Sequence, residues 1–306
     1  MGDTMIVIPK HKKTVAAIGK FDGFHLGHTK LVRTAVQTAK ESDSLSLIFF
    51  IGAPSESIMT RDECDRRAKE FGVDVVFHQP LSEDFRSMSA EEFVCSVLRD
   101  KLKCSTVVVG YDFRFAKGRS ADAHELERLC ALWGINCIII DEVALKDSDG
   151  VSHTVSSSYI RYLVQLGRVD EASRYLGRVF SVSGRVVTGR RIGTAMGIPT
   201  ANLKPEENIV LPPDGVYATH TIIDDKKYLS ITNIGTNPTV SDNNGVTIET
   251  NILDFSGDVY DENITLEFAE RIRGEMKFDS LDALTRQIKN DIEYVRNKYS
   301  KTEQRF

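Results

Sequence analysis

No apolar run in this 306-residue chain approaches the length of a membrane span, and Met1–Lys13 holds no apolar stretch of the kind a secretory signal needs. Basic residues are not in excess. The 39 Lys and Arg against 44 Asp and Glu leave a formal charge of −5, which argues against broad nucleic-acid binding but leaves room for a local phosphate pocket. Cysteine is sparse and odd in number: Cys64, Cys95, Cys104, Cys130 and Cys137 form no Cys-x-x-Cys and stand at no zinc-site spacing with histidine. They fall mostly inside apolar-periodic segments, as buried reduced thiols do, which points to a reducing compartment. There is no internal repeat and no low-complexity tract. The expectation is a cytoplasmic protein with no membrane or nucleic-acid partner; nothing in the sequence speaks to its oligomeric state. What is present is 41% hydrophobic and 27% charged residues, a globular balance, over a length that suits two domains with separate cores.

Residues 14 to about 143 alternate β-rich runs with amphipathic helical ones. Strands are expected at Thr14–Ile18, Leu45–Phe50, Val73–Phe77, Thr106–Val109 and Ile135–Ile140, with helices at about 28–40, 60–71, 89–102 and 121–133. Ser89-Ala-Glu-Glu92 opens the third helix as a capping box. Such alternation predicts an α/β domain, Rossmann-like, with a parallel sheet covered on both faces and its ligands beyond the C-terminal strand ends. Ile18-Gly-Lys-Phe-Asp-Gly-Phe-His-Leu-Gly-His28 falls at that edge, between the first strand and the first helix.

A strand that turns through glycines into a helix N-terminus presents unpaired N–H groups and the positive end of the helix dipole. Gly19, Gly23 and Gly27 allow close approach of a ligand, and His25 and His28, three apart, are able to point the same way. The plainer reading is a βα turn with two surface histidines. His-x-Gly-His preceded by Gly-x-Phe-Asp-Gly on a strand–turn–helix favours nucleotide binding instead, and the segment resembles the signature of the nucleotidyltransferase superfamily. Asp112, in Gly110-Tyr-Asp-Phe-Arg-Phe115, is placed to meet a ribose or phosphates at the same edge, or lies in a solvated loop. Ser156-Ser-Ser-Tyr-Ile-Arg161 reads on spacing as a helix cap, with a phosphate clamp through Arg161 as the alternative.

Two short helices at 156–166 and 169–176 end at Gly167 and Gly177. From Phe180 helical periodicity gives way to β-patterned runs at Ser181–Thr188, Gly215–Ile223, Tyr228–Ile234, Val246–Ile252 and Ile264–Phe268, which suggest a small antiparallel barrel. One long terminal helix starts near Asp279, with a stripe from Leu281 to Tyr299 to dock on that barrel. Between Gly184 and Asn202 four glycines and three arginines precede Pro199-Thr-Ala-Asn202: either a phosphate-covering loop, with Gly189, Gly193 and Gly197 near a nucleotide, or a turn-rich hairpin. Thr200 and Asn202 are hard oxygen donors suited to a Mg²⁺ held largely by water and phosphate. In Val246–Ile252 the alternation sends Glu249 to the face opposite Ile248, where it is either solvated or the carboxylate that a kinase acting on an alcohol requires.

The two halves together are similar, over nearly the whole chain, to the prokaryotic bifunctional riboflavin kinase/FAD synthetase family. The resemblance rests on Gly-x-Phe-Asp-Gly-x-His-x-Gly-His, Gly-x-Asp-Phe-x-Phe, Ser-Ser-x-x-Ile-Arg, Leu176-Gly-Arg178 and Gly197-x-Pro-Thr-Ala-Asn202. It continues through Pro213-x-Gly-Val-Tyr217, Asn233-Ile-Gly-Thr-x-Pro-Thr239 and Arg273-x-Glu-x-Lys-Phe278. It implies an FMN adenylyltransferase domain at 1–178 and a riboflavin kinase domain at 179–306, both using ATP with Mg²⁺ and with riboflavin, FMN and FAD as substrates or products. Glu249 would be the base on the ribityl hydroxyl, with Thr200 and Asn202 at the metal. His25 and His28 would stabilise the triphosphate beside Gly19, Phe21, Asp22 and Gly23. Ser157, Ser158 and Arg161 would hold its β/γ end, and Asp112 would lie near the nucleoside. The chain departs from the family at Lys20, Gly52, Ala53, Ala116, Asn251 (where histidine is common) and Asp261. The rival readings are a single-activity kinase with an impaired sheet domain and a non-catalytic flavin or nucleotide sensor.

Overall fold

The computed structural model describes residues 8–299 apart from Lys10, Ala53, Ser148, 190–197, Glu207 and 237–244. By its contacts the chain divides into two compact units, Met1–Ser157 and Ser158–Phe306. This division falls ahead of the last two short helices before the barrel, which the sequence reading placed with the sheet.

The first unit is built on β1 (Thr14–Gly19), β2 (Leu45–Ile51), β3 (Val75–Gln79), β4 (Cys104–Gly110) and β7 (Asn136–Ile140), parallel in the order β3-β2-β1-β4-β7. Burial on both faces explains their nearly continuous apolar runs. From β1, Ala16 and Ile18 enter one core with Phe49 and Leu98, while Val15 and Ala17 enter the other with Phe21, Phe24 and Val32. The covering helices are α1 (Leu26–Glu41), α2 (Arg61–Glu70), α3 (Glu83–Ser87), α4 (Ala90–Glu92) and α5 (Ala123–Leu132). Ser89 and Glu92 form the expected capping box on α4, whose chain runs on in π form over Phe93–Lys101. The small pairs β5 (Arg114–Phe115) with β6 (Ala121–Asp122), and β8 (Ala144–Lys146) with β9 (Ser152–Thr154), are too short for a periodicity argument.

The second unit opens with α6 (Ser157–Gln165), most of which it holds, and α7 (Val169–Leu176), closed by Gly177 in the left-handed region at φ 70°. A closed barrel follows in the order β10-β11-β14-β13-β12-β15, from β10 (Phe180–Val187), β11 (Ala201–Pro205), β12 (Gly215–Ile223), β13 (Lys226–Thr236), β14 (Val246–Ile252) and β15 (Asn263–Arg273). β11 is not among the strands expected from sequence, because five residues ending in proline carry no alternation long enough to count. β15 runs past Phe268 to Arg273, where bulges against β12 blur the period of two.

Fully buried Phe180, Val182, Tyr217, Leu266 and Phe268 build the barrel core. A chain of equally buried hydroxyls joins them: Thr221 donates to Ser230 at 2.9 Å, Thr219 lies 2.8 Å from Ser230 and 2.7 Å from Thr232, and Thr232 donates to Thr250 at 3.0 Å. Each finds a partner, so the polar atoms do not penalise burial. The terminal helix α8 (Leu281–Tyr299) docks by the expected stripe from Leu284 onward: Ile292, Val295 and Tyr299 pack on the barrel, and Leu284 and Ile288 line the cavity beside it. Val295 is buried, but Leu281 is 67% exposed, and buried Asp291 takes two hydrogen bonds from Arg273 of β15, at 2.9 and 2.8 Å.

Candidate active sites

In the first unit the turn from β1 to α1 requires unusual backbone. Phe21 and Phe24 take φ of 49° and 43°, with Gly23 between them at 80°. Positive φ is costly for a phenylalanine, and burial offsets it: both rings are fully buried, 5.9 Å apart, with Phe21 5.4 Å from Phe50. A Cβ on Gly23 would lie 2.9 Å from the Ile58 side chain, so angle and space both demand glycine there. The buried Asp22 carboxylate accepts from the Ile58 amide at 2.7 Å, and the Asp22 carbonyl accepts from the Ser157 hydroxyl at 2.8 Å. The turn is fastened from both sides.

His25 caps α1, its Nδ1 accepting from the His28 amide at 3.3 Å. An Nδ1 that accepts carries no proton, so this contact leaves the ring N–H of His25 on Nε2. The His25 and His28 rings stack with centroids 3.6 Å apart at 18°. His28 Nδ1 is buried with no hydrogen-bond partner among the described residues. Burial, and to a lesser degree His25, holds the His28 pKa well below the ordinary 6.5. The result is a stacked imidazole pair at the positive end of a helix, with His28 held toward its neutral form, beside the place where an anion would enter.

This has a consequence for stability. Folded His28 refuses a proton that the unfolded chain accepts, so its contribution is full above pH 6.5 and is lost as pH falls from there through the folded value. Lowering pH from about 7.5 to about 5.5 is expected to depress the unfolding midpoint more in the wild type than in His28→Asn. Parallel pH profiles for the two proteins, followed by thermal melts, would show that His28 carries no such linkage.

Gly19 ends β1, and exposed Asp112 stands just past the end of β4, which pairs with β1, in a turn closed by the Phe113 amide on the Gly110 carbonyl at 3.0 Å. The expected residues Gly19, Phe21, Asp22, Gly23, His25, His28, Asp112 and Ser157 therefore belong to this unit. A separate groove of about 820 Å³, walled by Ser89, Lys117, His124 and Arg128, includes none of them. Ser158 and Arg161 lie on α6 in the second unit, where Arg161 Nη2 donates to the Ser158 hydroxyl at 3.3 Å.

In the second unit a cavity of about 400 Å³ lies between the outer face of the barrel and α8. Its polar wall includes Thr200, Asn233, Glu249 and Asn251, and Ile231 and Phe278 are among its apolar residues. Glu249 on β14 pairs directly with Asn202 on β11 and Asn233 on β13, so the three side chains share one face. The Asn202 carboxamide fills the space next to Gly189, where a Cβ would come within 2.1 Å of it. The Asn251 amide donates to the Pro199 carbonyl at 2.6 Å. Gly193 and Gly197 lie outside the described residues. Sequence reasoning did not assign Asn233, Arg273 and Asp291 to this wall; the ordered arrival of Asn233 and Arg273 in the quoted motifs was the available signal.

A family model described as FAD synthetase matches residues 7–155, and one described as riboflavin kinase matches residues 176–299. A bifunctional riboflavin kinase/FMN adenylyltransferase from Pseudomonas fluorescens is 33% identical, over 94% of this chain and 94% of its own. The chain belongs to the bifunctional riboflavin kinase/FMN adenylyltransferase family. The Bacillus subtilis member is 31% identical over 94% of this chain and 92% of its own. A crystal structure described as a macrolide-efflux protein from Streptococcus pneumoniae matches with a TM-score of 0.84 at 30% identity, over 95% of this chain and 96% of that one. Transport is what that name says of that protein. Among the described residues of this family member no helix is long and apolar enough to cross a membrane.

Proposed function

We propose that this chain catalyses both steps from riboflavin to FAD: phosphorylation of riboflavin by ATP to FMN in residues 179–306, and adenylylation of FMN by a second ATP in residues 1–178, releasing pyrophosphate. The observation that carries the reading is that each compact unit bears its own phosphate-directed groups: the stacked His25–His28 pair in one, Glu249 with Thr200 on one cavity in the other. A sensor would need no carboxylate base in its flavin cavity.

In the kinase step Glu249 takes the proton of the terminal ribityl hydroxyl as its oxygen attacks the γ-phosphorus and ADP leaves. Thr200 and Asn202 suit a Mg²⁺ brought in with ATP: they offer neutral oxygens next to a carboxylate, and among the described residues no cluster of three or more His, Cys, Asp or Glu would hold a metal by itself. Bound there, Mg²⁺ supplies charge neutralisation at the phosphates. In the transferase step an oxygen of the FMN phosphate attacks the α-phosphorus, so no strong protein base is required. His25 and His28 donate to the triphosphate, with Gly19, Phe21, Asp22 and Gly23 shaping the turn that holds it. Asp112 serves the nucleoside, Ser157 the β/γ phosphates, and Gly189 the ATP of the kinase. The protein acts in the cytoplasm on small molecules, without nucleic acid or membrane.

Incubation with riboflavin, ATP and Mg²⁺, resolved by chromatography, is expected to yield FMN and then FAD. FMN that accumulates and never proceeds would leave the kinase alone, and no ATP consumption with either flavin would end the proposal.

A further inference from the structure

β11 and β14 pair through Ala201↔Thr250, Asn202↔Glu249 and Leu203↔Ile248, and there the main-chain ladder ends. The next pair in register is Thr200 with Asn251, and Thr200 lies outside the strand. A side chain takes over at that point. The Asn251 carboxamide, on a residue only 9% exposed, reaches the Pro199 carbonyl at 2.6 Å. A carbonyl only accepts, so the atom facing it is the amide nitrogen, and the orientation of the carboxamide follows from chemistry. Asn251 stands two residues from Glu249 on the same strand and face, and Thr200, Glu249 and Asn251 line the same cavity.

We infer that Asn251 is a positioning residue of the kinase site: its hydrogen bond to Pro199 fixes the Pro199–Thr200 segment against the strand that carries Glu249. The inference rests on the kinase reading given above. Proline offers no N–H to a ladder, so the carbonyl of Pro199 is its one main-chain hydrogen-bonding group, and this bond uses it. Without the bond, the residues that lead into β11 are no longer tied to β14 beyond Ala201. Glu249 itself is untouched, but the distance between base and phosphate-side donors is no longer fixed. A misplacement of about 1 Å in such a constellation costs about 100-fold in rate.

Three variants test this. Asn251→Ala removes the donor, Asn251→Asp keeps the shape but sets a carboxylate oxygen against the carbonyl, and Asn251→His restores a ring N–H. Asn251→Ala and Asn251→Asp are expected to lower kcat for FMN formation by about 10- to 100-fold with KM for riboflavin changed less than about threefold. FAD formation from supplied FMN stays at the wild-type rate. Hydrogen–deuterium exchange of the ligand-free protein is expected to speed up at Thr200–Asn202 in both variants, and Asn251→His is expected to recover most of the kcat and of the protection. Wild-type kcat in Asn251→Ala would overturn the inference. So would loss in all three variants in proportion to a lowered unfolding midpoint, since that is a purely structural role. A wild-type protein that forms no FMN would refute the kinase reading instead, and the exchange measurement would still report on the anchor.

Discussion

Glu249→Ala is expected to lower FMN formation by about 10²- to 10⁴-fold, the range for loss of a general base, while riboflavin still binds. Glu249 is the carboxylate that β14 directs into the barrel cavity next to Thr200, and its cross-strand partners Asn202 and Asn233 cannot take up a proton at neutral pH. The substitution removes no core atom, because the buried face of β14 is carried by Ile248 and Thr250. Riboflavin binding, followed by flavin fluorescence, should therefore persist, and the loss should fall on kcat. Adenylylation of supplied FMN should be unchanged. Kinase turnover near the wild-type rate in Glu249→Ala would remove Glu249 from the mechanism.

His28→Ala is expected to produce the opposite pattern: FAD formation from FMN and ATP falls by about 10²- to 10³-fold, as for loss of a donor to transition-state charge, and FMN formation is retained. This expected loss rests on the buried Nδ1, which has no hydrogen-bond partner among the described residues, and on the stacking of the ring on His25. His25→Ala should do more damage to stability, since it also deletes the N-cap of α1, worth about 1 kcal/mol. His28→Ala is thus the cleaner probe. Equal loss of both activities would contradict the assignment of the two chemistries to separate units.

Local signals account for most of what could be read in advance. The alternation of apolar runs placed the parallel strands to within one residue, except β4, which begins two residues earlier, and β3, displaced two residues onward to Val75–Gln79. The Ser89–Glu92 capping box and the Gly177 terminator were legible because each is encoded within four residues. β11 was not, because a five-residue strand that ends in Pro205 and begins two residues after Pro199 resembles a turn until its partners β10 and β14 are known. The α8 stripe was legible except at its first position, Leu281, which is exposed. Periodicity identified Val295, but Asp291 is buried by an ion pair with an arginine 18 residues earlier, which no hydropathy pattern encodes.

The residues by themselves determined the two-part architecture, the anion-ready turn at His25–His28 and the type of chemistry each half carries, since period, turn composition and donor type are properties of short stretches of chain. Only the folded chain decided that the two histidine rings stack, with His28 Nδ1 left without a partner among the described residues, that Thr200 and Glu249 share a cavity under α8, and that Asn251 ties down Pro199. Those facts join positions far apart in sequence, 52 residues in the last case, and are settled by sheet register and burial rather than by any local preference.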